Sequence, residues 1–520
     1  MMQTYALTVD RFLDHAAKWW GDREVVTAGA GRIGYGALRD RSIRLSGAFL
    51  ALGLRTGDRV ATLAWNSQHH LEVYYGAMGV GLICHTLNPR MSTNHLVAIV
   101  NEAEDRILAV GAGLVDLAHE IALRCPSIEV IVLLDGTKAE FRPIADRRIF
   151  EFEALLAEFG REVVWGDFDE NTPAGLCYTS GTTGAPKGVL YTHRSNYLHT
   201  LRSLQADAVA LKSSDVVLVA VPMFHANGWG FPFAGPACGA KLVLPGRHTD
   251  GASLASFIRD EGVTVAAGVP TVWQGLVDHL DEAGGDVPTL ERVIIGGSRC
   301  PDALIERMEE RLQACVQTSW GMTELSPLGT VSPVQTRERA VASGRAPVGL
   351  DLKLTNAAGA TLPVQRNVAG HLKVKGASVV QRYYKTQVDV VDDEGYFDTG
   401  DLASIDDEGN LTITGRSKDL IKSGGEWINP GEIESIVGRL PGVGQVAVIG
   451  RADAKWGERP ILIVEPQQSH TLDEKTLLEA LQGAVVDWWI PDEVIQVPHM
   501  PLAATGKIDK NRLRAEYARV

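Results

Sequence analysis

The sequence predicts an α/β fold, because segments typical of buried strands alternate with amphipathic helices along much of the chain. Three apolar runs have the length and composition of buried strands, at 59–65, 129–134 and 216–221. Residues 39–53 have helical periodicity and end at a glycine, as many helices do. A second helix is predicted at 302–315, with Pro301 near its start. Such alternation is typical of sheets that are covered by helices.

Short strands dominate the segment from about 345 to 415. They are separated by turn sequences, which are NAAG at 356–359 and DDEG at both 392–395 and 406–409. This segment is therefore predicted to be rich in β-structure.

The last hundred residues have the pattern of a separate domain. They contain their own predicted elements, which are strands at 445–449 and 461–464, a helix at 471–482 and a basic helix after Asp509. About 100 residues suffice for a small domain. No long linker precedes them at Arg416–Ser417–Lys418, which indicates a hinge rather than a flexible tether. We therefore predict an N-terminal domain at 1–416 and a C-terminal domain at 417–520.

Length and composition indicate a globular protein whose main function is not nucleic-acid binding. The chain has 520 residues, of which 45% are hydrophobic and 22% charged, and this length suggests about three or four folding units. The net charge of −14 disfavours a nucleic-acid-binding surface, which needs clustered lysine and arginine. The six cysteines are scattered, so we interpret them as core residues in a reducing compartment. The start of the chain contains no apolar run, so we expect no targeting segment and a cytoplasmic location.

Residues 216–240 contain no aspartate, glutamate, lysine or arginine and are long enough to span a bilayer. The same stretch contains Pro222, Pro232 and Pro236. Prolines interrupt helical hydrogen bonding, and unpaired backbone groups are costly in lipid. We therefore predict buried strand and loop here rather than a transmembrane helix.

The sequence YTSGTTGAPKGV at 178–189 has the chemistry of a polyphosphate-binding loop. Glycines allow the backbone to approach an anion closely, and successive N–H groups can surround it. Hydroxyls and one cation add donors, from Thr179, Ser180, Thr182, Thr183 and Lys187. The motif is not a Walker loop, because Gly188 follows the lysine and the next residues favour a strand rather than a helix. A solvated polar turn is the alternative interpretation, which this composition disfavours.

Further motifs follow in order along the chain. They are GGS at 296–298, WGMTE at 320–324, YFDTGD at 396–401, GRSKD at 415–419 and TGK at 505–507. Together with the phosphate loop, this ordered set resembles the adenylate-forming superfamily of acyl-CoA synthetases, peptide-synthetase adenylation domains and luciferases. The resemblance covers nearly the whole chain. It implies a large N-terminal α/β domain of several subdomains, with sheets and a small barrel, and a small mobile C-terminal α+β domain.

The resemblance implies a site that binds ATP and AMP. Glu324 is the implied Mg²⁺ ligand, and a carboxylate suits this hard cation. Trp320 would stack on adenine, and Asp401 would accept hydrogen bonds from the ribose hydroxyls. The other implied nucleotide contacts are Thr179, Ser180, Gly181, Thr182, Thr183, Gly184, Lys187, Gly297, Ser298, Gly321, Met322, Thr323, Arg416 and Lys507. Taken singly, Asp401 and Glu324 are also compatible with ordinary turn and surface acids.

Lys507 is implied to act in a first half-reaction, where its ammonium bridges the carboxylate of the acid and the α-phosphate. The implied catalytic residues are Lys507, Glu324, Thr179 and His225. Lys418 is the implied hinge, although its chemistry alone is that of a solvated lysine. A second face of the small domain, with Lys422, Gly424 and Gly425, is implied to serve a thioester-forming step.

His225 and Trp229, together with KSGGEWI at 422–428, resemble the medium- and long-chain fatty acyl-CoA synthetase branch. In that branch the tryptophan gates an acyl tunnel. The implied acyl pocket contains His225, Trp229, Gly296, Met322 and Leu328. Core roles for His225 and Trp229 remain the alternative. No arginine or lysine is among these residues, which disfavours a dicarboxylate substrate.

Three positions depart from the pattern of the superfamily. His371 replaces a more frequent glutamate, and Leu502 and Ala504 replace more frequent polar residues. Because none is a predicted catalytic group, they affect the subfamily assignment rather than the activity.

The predicted function is that of an acid–CoA ligase, which is an AMP-forming acyl-CoA synthetase. ATP and a carboxylic acid, of fatty or other apolar type, would give acyl-AMP and pyrophosphate with the help of Mg²⁺. CoA would then accept the acyl group and AMP would be released. Two alternatives remain, which are an adenylating enzyme with another acyl acceptor and a nucleotide-binding relative without catalysis. The resemblance is also compatible with a homodimer.

Overall fold

The computed structural model describes residues 1–179, 186–334, 342–424, 426–467, 470, 472–503 and 507–518. Within these ranges the strands form four sheets, two of which are large and mostly parallel. Helices pack on both faces of the two large sheets, which confirms the predicted α/β class.

The strands are given first, in chain order. They are β1 (Glu24–Thr27), β2 (Gly31–Gly34), β3 (Arg59–Leu63), β4 (Ile83–Thr86), β5 (Ile107–Val110), β6 (Val130–Leu133), β7 (Arg148–Glu151), β8 (Pro173–Tyr178), β9 (Gly188–Thr192), β10 (Val216–Val219), β11 (Lys241–Leu244), β12 (Val265–Gly268), β13 (Arg292–Ile295), β14 (Cys315–Gly321), β15 (Leu328–Val331), β16 (Leu350–Thr355), β17 (Ala369–Gly376), β18 (Phe397–Ile405), β19 (Leu411–Arg416), β20 (Ile421–Ser423), β21 (Glu426–Ile428), β22 (Val443–Asp453), β23 (Gly457–Pro466) and β24 (Val494–Gln496).

The α-helices of the described ranges alternate with these strands. They are α1 (Asp10–Trp19), α2 (Tyr35–Ala51), α3 (Gln68–Met78), α4 (Thr93–Ala103), α5 (Val115–Arg124), α6 (Phe152–Phe159), α7 (His193–Ser203), α8 (Phe231–Cys238), α9 (Gly251–Glu261), α10 (Pro270–Ala283), α11 (Asp302–Leu312), α12 (Pro430–Val437), α13 (Glu474–Glu479) and α14 (Lys510–Tyr517).

The first large sheet has the order β7-β6-β5-β3-β4-β8-β9. Its strands are parallel except for β9, which pairs antiparallel with β8. The predicted phosphate loop connects these two strands, since β8 ends at Tyr178 and β9 begins at Gly188. A strand therefore follows the loop, as the sequence predicts.

The second large sheet has the order β15-β14-β13-β12-β10-β11-β1-β2, with parallel pairing from β14 through to β1. Because the carboxyl ends of parallel strands meet at one edge of a sheet, ligands commonly bind there. The segments that follow β10, β13 and β14 contain the predicted residues His225, Gly296 and Glu324 respectively. The topology thus brings three distant motifs to one edge.

Apolar side chains between the two large sheets form the largest core, to which α1, α2, α3, α6 and α8 contribute. A second core lies on the opposite face of the second sheet, under α9, α10 and α11. A third core lies on the outer face of the first sheet, under α4 and α5. The sheets are therefore buried on both faces, which explains why their strands are continuous apolar runs.

The segment 350–416 forms a third, antiparallel sheet in the order β16-β17-β18-β19, where the sequence predicts β-rich structure. The fourth sheet contains strands that all begin after residue 420, and it packs with α12, α13 and α14 around separate cores. The chain thus has a large N-terminal domain and a small C-terminal domain. The boundary between 416 and 417 lies between the third and fourth sheets and stays a prediction.

The structure corrects two predicted helix boundaries and the type of one predicted element. The helix predicted at 302–315 ends at Leu312, because Gln313 is left-handed (φ 54°) and Cys315 begins β14. The helix predicted at 471–482 is the shorter α13. The expectation of only strand and loop at 216–240 is wrong for α8, whose Pro232 lies in the first turn, where a missing N–H costs little. No helix of the described ranges is long and apolar enough to cross a membrane.

Candidate active site

A cavity of about 1160 Å³ lies at the carboxyl edge of the second sheet and is lined by both domains. The C-terminal domain contributes Lys507 and neighbouring residues up to Arg514. Most of the predicted nucleotide and acyl-pocket residues line this cavity, and they are Thr179, Lys187, His225, Trp229, Gly297, Ser298, Trp320, Gly321, Met322, Thr323, Glu324, Leu328, Asp401, Arg416 and Lys507. Thr179 and Lys507, which lie 328 residues apart in sequence, therefore line the same cavity.

Some predicted residues are not part of the lining. Gly296 lies behind the Trp229 ring rather than at the surface of the cavity. Lys422 and Gly424 also lie outside the lining, on the hairpin of β20 and β21. The remaining predicted residues fall outside the described ranges, and they are Ser180, Gly181, Thr182, Thr183, Gly184 and Gly425.

Asp401 is almost fully buried and is held by two partners. It lies opposite Arg416 in the antiparallel pair β18–β19, and its Oδ1 is 2.6 Å from Arg416 Nε. The indole N–H of Trp320 donates to Asp401 Oδ2 at 2.8 Å. Burial raises the pKa of Asp401, whereas Arg416 and the Trp320 hydrogen bond act in the opposite direction. Among the described residues Oδ1 makes no hydrogen bond of standard geometry, and its partner is the ion-paired guanidinium of Arg416.

Glu324 lies in a short 3₁₀ turn, Thr323–Leu325, that follows β14. Its side chain is buried at the cavity wall, and Tyr383 donates its hydroxyl hydrogen to Glu324 Oε1 at 2.9 Å. Burial raises the pKa of Glu324, while the hydrogen bond from Tyr383 and the charges of Arg416 and Lys187 lower it. Burial outweighs these groups, so the net shift of the Glu324 pKa is upward.

The turn that carries Glu324 is supported from α7 by two residues that sequence analysis does not single out. Arg202 donates from Nη2 to the carbonyl oxygen of Leu328 at 2.7 Å and from Nη1 to Ser378 Oγ at 2.7 Å. His199 Nε2 accepts the backbone N–H of Leu328 at 3.1 Å. Both side chains are buried, and burial lowers the pKa of His199, so it remains a neutral acceptor. The sequence signal for this pair is that basic residues lie on a helix face that is otherwise apolar or small.

Lys507 projects into the cavity from the segment before α14. Desolvation and, to a smaller extent, the charge of Arg416 lower its pKa to about 8. Asp401 and Glu324 act against this shift. The lysine therefore lies within electrostatic range of the residues predicted to bind the nucleotide.

His225 lies at the wall of the cavity after β10, which favours the predicted pocket role over a purely core role. Burial lowers the pKa of His225 to about 4, and the charges of Lys507 and Arg90 contribute to that shift. At neutral pH the ring is therefore uncharged. A neutral imidazole can donate one hydrogen bond and accept another.

Trp229 is part of a left-handed turn. All residues of the segment Ala226–Gly230 have positive φ, between 40° and 80°. Such backbone is costly for residues with a Cβ, and strain of this kind concentrates at functional sites. The turn places the Trp229 ring over Gly296, where an added Cβ would lie 3.0 Å from Trp229 Cη2 and 2.5 Å from Ser319 Oγ. Gly296 therefore serves the close approach of the ring.

Lys418, the predicted hinge, lies in the 3₁₀ turn Ser417–Asp419 directly after β19, and it lines the cavity. His371 Nδ1 is 3.0 Å from Ser417 Oγ, so this unusual histidine contacts the residue before the hinge. Arg514 of α14 pairs with Asp419 at 2.6 Å. The hinge turn is thus connected to both domains.

The cavity as a whole is not free of basic residues. Arg299 lines it two residues beyond Gly297, and Asp302 lies nearby in the lining. The expectation of a lining without arginine or lysine therefore does not extend beyond the five predicted acyl-pocket residues. Apolar lining comes from Val209, Phe231, Ile294 and Leu328.

Comparison with known protein families identifies the family of this chain. The model of the AMP-binding enzyme family matches residues 13–384, and the model of the AMP-binding enzyme C-terminal domain matches residues 432–507. The chain belongs to the AMP-binding enzyme family. This confirms the resemblance to the adenylate-forming superfamily that the motifs indicate.

Several characterised members of this family resemble the chain over nearly its whole length. A 3-methylmercaptopropionyl-CoA ligase of Ruegeria lacuscaerulensis is 39% identical, over 99% of this chain and 98% of the relative. A medium-chain fatty acid–CoA ligase of Ectopseudomonas oleovorans is also 39% identical, over 99% and 97%. A long-chain fatty acid–CoA ligase of Thermus thermophilus is 36% identical, over 97% and 95%.

Solved structures of AMP-binding enzymes have the same fold. The anthranilate CoA ligase AuaEII in complex with anthranoyl-AMP superposes with a TM-score of 0.88 at 22% identity, over 100% of this chain and 98% of that chain. ATP-bound MatB from Rhodopseudomonas palustris superposes with a TM-score of 0.86 at 25% identity, over 99% of both chains. The fold of the whole chain is therefore that of these CoA ligases.

Proposed function

We propose that this AMP-binding enzyme is an AMP-forming acyl-CoA synthetase. It activates a carboxylic acid with ATP, giving acyl-AMP and pyrophosphate, and then transfers the acyl group to the thiol of CoA with release of AMP. The assignment is supported by CoA ligases that are 36–39% identical over almost the whole chain.

The structural observation that carries the proposal is that Lys507 of the small domain shares one cavity with Glu324, Asp401 and Arg416 of the large domain. In the first half-reaction a carboxylate oxygen of the acid attacks the α-phosphorus, and the bond to the pyrophosphate oxygen breaks. Negative charge is redistributed between the acid, the α-phosphate and the leaving group. A cation placed at that point stabilises the transition state without transferring a proton.

The residues at the phosphate end fit a bound Mg²⁺. Glu324 offers one buried carboxylate toward the cavity, and no cluster of three or more histidine, cysteine, aspartate or glutamate side chains suited to a metal occurs in the described ranges. Mg²⁺ in nucleotide sites is commonly held by one or two carboxylates together with phosphate oxygens and water. When bound, the ion would neutralise charge on the departing pyrophosphate. Glu324 would hold it, and Lys187 would add a second positive charge.

We propose that the Asp401 carboxylate binds the ribose hydroxyls, with Arg416 reaching the ribose or α-phosphate. Trp320, Gly297 and Ser298 all line this cavity, which supports an adenine site in it. In this arrangement Trp320 has two functions, since its ring contacts the base and its N–H fixes Asp401.

The second half-reaction requires a different position of the small domain. Lys507 and its neighbours fill the side of the cavity that faces the C-terminal domain, so they must leave before the pantetheine arm of CoA can enter. We propose rotation about Lys418, which would bring Lys422 and Gly424 to the cavity. The thiol then attacks the acyl carbonyl and the bond to the AMP phosphate breaks.

The acid is proposed to be apolar. The lining near Trp229 includes Phe231, Val209 and Leu328, and the named relatives act on medium-chain, long-chain or methylmercapto acids. The neutral His225 lies where the carboxylate end of such an acid would meet Lys507.

The test is a panel of acids from acetate to palmitate, with 3-methylmercaptopropionate, phenylacetate and one dicarboxylate, assayed for pyrophosphate and AMP with and without CoA. We expect pyrophosphate release with apolar acids, and AMP turnover that depends on CoA. Turnover without CoA but with another thiol acceptor would contradict the ligase assignment. Absence of pyrophosphate with every acid would indicate a non-catalytic relative.

A further inference from the structure

The segment 378–384 of the large domain bridges the two phosphate-facing parts of the site. At one end, the backbone N–H of Val380 donates to the carbonyl oxygen of Glu324 at 2.8 Å. At the other end, the N–H of Tyr384 donates to the carbonyl oxygen of Gly188 at 2.8 Å, directly after Lys187. The segment therefore ties the turn of Glu324 to the end of the phosphate loop through the backbone.

One side chain of this segment contacts both functional groups. Tyr383 donates its hydroxyl hydrogen to Glu324 Oε1 at 2.9 Å. The Nζ atom of Lys187 lies 4.9 Å from the centre of the Tyr383 ring, within the range of a cation–π interaction. Tyr383 also lines the cavity. The hydroxyl thus orients an anion while the ring face orients a cation.

We propose that Tyr383 is a positioning residue for adenylation, and this proposal rests on the proposed function above. It occupies one oxygen of Glu324 and so directs the other toward the metal–phosphate end of the cavity. Its ring limits the flexible Lys187 side chain to the same end. Tyr383 takes no part in bond breaking and transfers no proton.

The physical reason is that both partners are long side chains with several rotamers. A hydrogen bond that already fixes the glutamate side chain reduces the conformational entropy that is lost when metal and ATP bind. Residues that orient a metal ligand commonly contribute about 10- to 100-fold to metal affinity or activity. Because Glu324 is buried, loss of the Tyr383 hydroxyl would leave one of its oxygens without this donor.

Tyr383→Phe removes the hydroxyl and keeps the ring. We expect the affinity for Mn²⁺, measured by electron paramagnetic resonance with ATP present and no acid, to fall by about 10- to 100-fold. Pyrophosphate release should need a higher Mg²⁺ concentration, with kcat recovering as Mg²⁺ is raised. Thioester formation from preformed acyl-adenylate should stay within about twofold of the wild type, because that step uses no pyrophosphate.

Tyr396→Phe is the matched control. The Tyr396 hydroxyl also donates to a carboxylate, that of Asp351, but the pair is exposed and outside the lining of the cavity. This control should leave Mn²⁺ affinity and both half-reactions unchanged.

A double-mutant cycle tests whether Tyr383 acts through Glu324. In a Glu324→Ala background, Tyr383→Phe should cause no further loss of Mn²⁺ affinity, because the hydroxyl has no acceptor left. This comparison remains valid if Tyr383→Phe also lowers the thermal unfolding midpoint.

The proposal is overturned if Tyr383→Phe binds Mn²⁺ as the wild type does, if it slows both half-reactions equally, or if its effects add to those of Glu324→Ala. Failure of the wild type to release pyrophosphate with any acid would instead contradict the proposed function. The Mn²⁺ measurement would still decide the role of Tyr383 in that case.

Discussion

Trp320 donates its indole N–H to Asp401 Oδ2 at 2.8 Å, and this bond connects two motifs that lie 81 residues apart. Trp320 closes the end of β14, and Asp401 lies in β18 of the third sheet. The bond therefore joins the second large sheet to the antiparallel sheet at the base of the nucleotide site.

Trp320→Phe is expected to leave one oxygen of the buried Asp401 without its donor. The free energy of unfolding should fall by about 1–3 kcal/mol, the cost of an unsatisfied buried acceptor. The KM for ATP should rise as well, because Asp401 loses its orientation. Urea unfolding and ATP-dependent pyrophosphate release measure the two effects. Trp19→Phe, at an exposed tryptophan, is the control, and similar changes in both variants would contradict this role.

Lys507→Ala is expected to separate the half-reactions. Loss of the cation should slow adenylation by about 100-fold or more, as does removal of a single stabilising donor from an active site. The same variant should convert preformed acyl-adenylate to acyl-CoA at close to the normal rate, which a single-turnover assay measures. If both half-reactions slow equally, the two-position mechanism is wrong for this chain.

Lys418→Pro is expected to show the opposite defect. Proline fixes φ near −65° and obstructs rotation at the hinge turn, so acyl-adenylate should form and then accumulate. Lys418→Ala is the matched control, because it removes the charge and leaves the backbone free. Chromatographic measurement of bound acyl-AMP distinguishes the two variants. Accumulation in the alanine variant would show that the charge, and not the hinge, is responsible.

The pH dependence of adenylation should follow the protonation state of Lys507. With a pKa of about 8 in the ligand-free enzyme, this lysine is charged below pH 8 and loses its proton as the pH rises through that value. We therefore expect kcat/KM for pyrophosphate release to be level below pH 8 and to fall about tenfold per pH unit above it. The charged and titratable groups that act on this lysine are Arg416, Asp401, Glu324, Lys418 and His225.

Lys507→Arg is the control for this profile, since arginine keeps its charge over the whole range. Its activity should not fall above pH 8, whatever its absolute level. A fall with the same midpoint in the arginine variant would assign the titration to another group.

Arg439→Glu is expected to weaken the arrangement of the two domains. Arg439, after α12, pairs with Asp302 of α11 at 2.8 Å across the domain interface. A half-exposed pair of this kind contributes at most about 1 kcal/mol, so adenylation should slow by no more than about fivefold, and less at high salt. Thioester formation should not slow.

The exchanged pair Asp302→Arg with Arg439→Glu should restore adenylation. Arg451→Glu is the control, because Arg451 pairs with Glu493 inside the small domain. If Arg451→Glu slows adenylation as much, net charge rather than the interface pair is responsible.

Trp229→Ala is expected to change the acid preference while the KM for ATP stays nearly constant. Removal of the ring opens the space over Gly296. The kcat/KM for longer or bulkier acids should therefore rise relative to that for short acids. The acid panel measures this shift. If the acid profile is unchanged, Trp229 is a core residue, and the variant should show only a loss of stability of about 3–5 kcal/mol. Trp273→Phe, in the core away from the cavity, provides the comparison.

Most of the predicted nucleotide and acyl-pocket residues line the cavity, because the chemistry of their motifs is local. A phosphate loop needs glycines, hydroxyls and a lysine within about ten residues, and such a pattern is visible without a structure. The five ordered motifs also predict that their residues act together. Helix ends were less predictable: Gln313 ends α11 early because a left-handed residue is decided by packing rather than by periodicity.

The sequence by itself determined the α/β class, the family and the chemical groups of the site, from the phosphate loop to Lys507. Only the tertiary structure decided which partners hold those groups. Tyr383 meets Glu324 across 59 residues, and Arg202 meets the carbonyl of Leu328 across 126. A hydrogen bond between residues this far apart in sequence follows no spacing rule, because the distance along the chain is set by the elements that fold between the two partners.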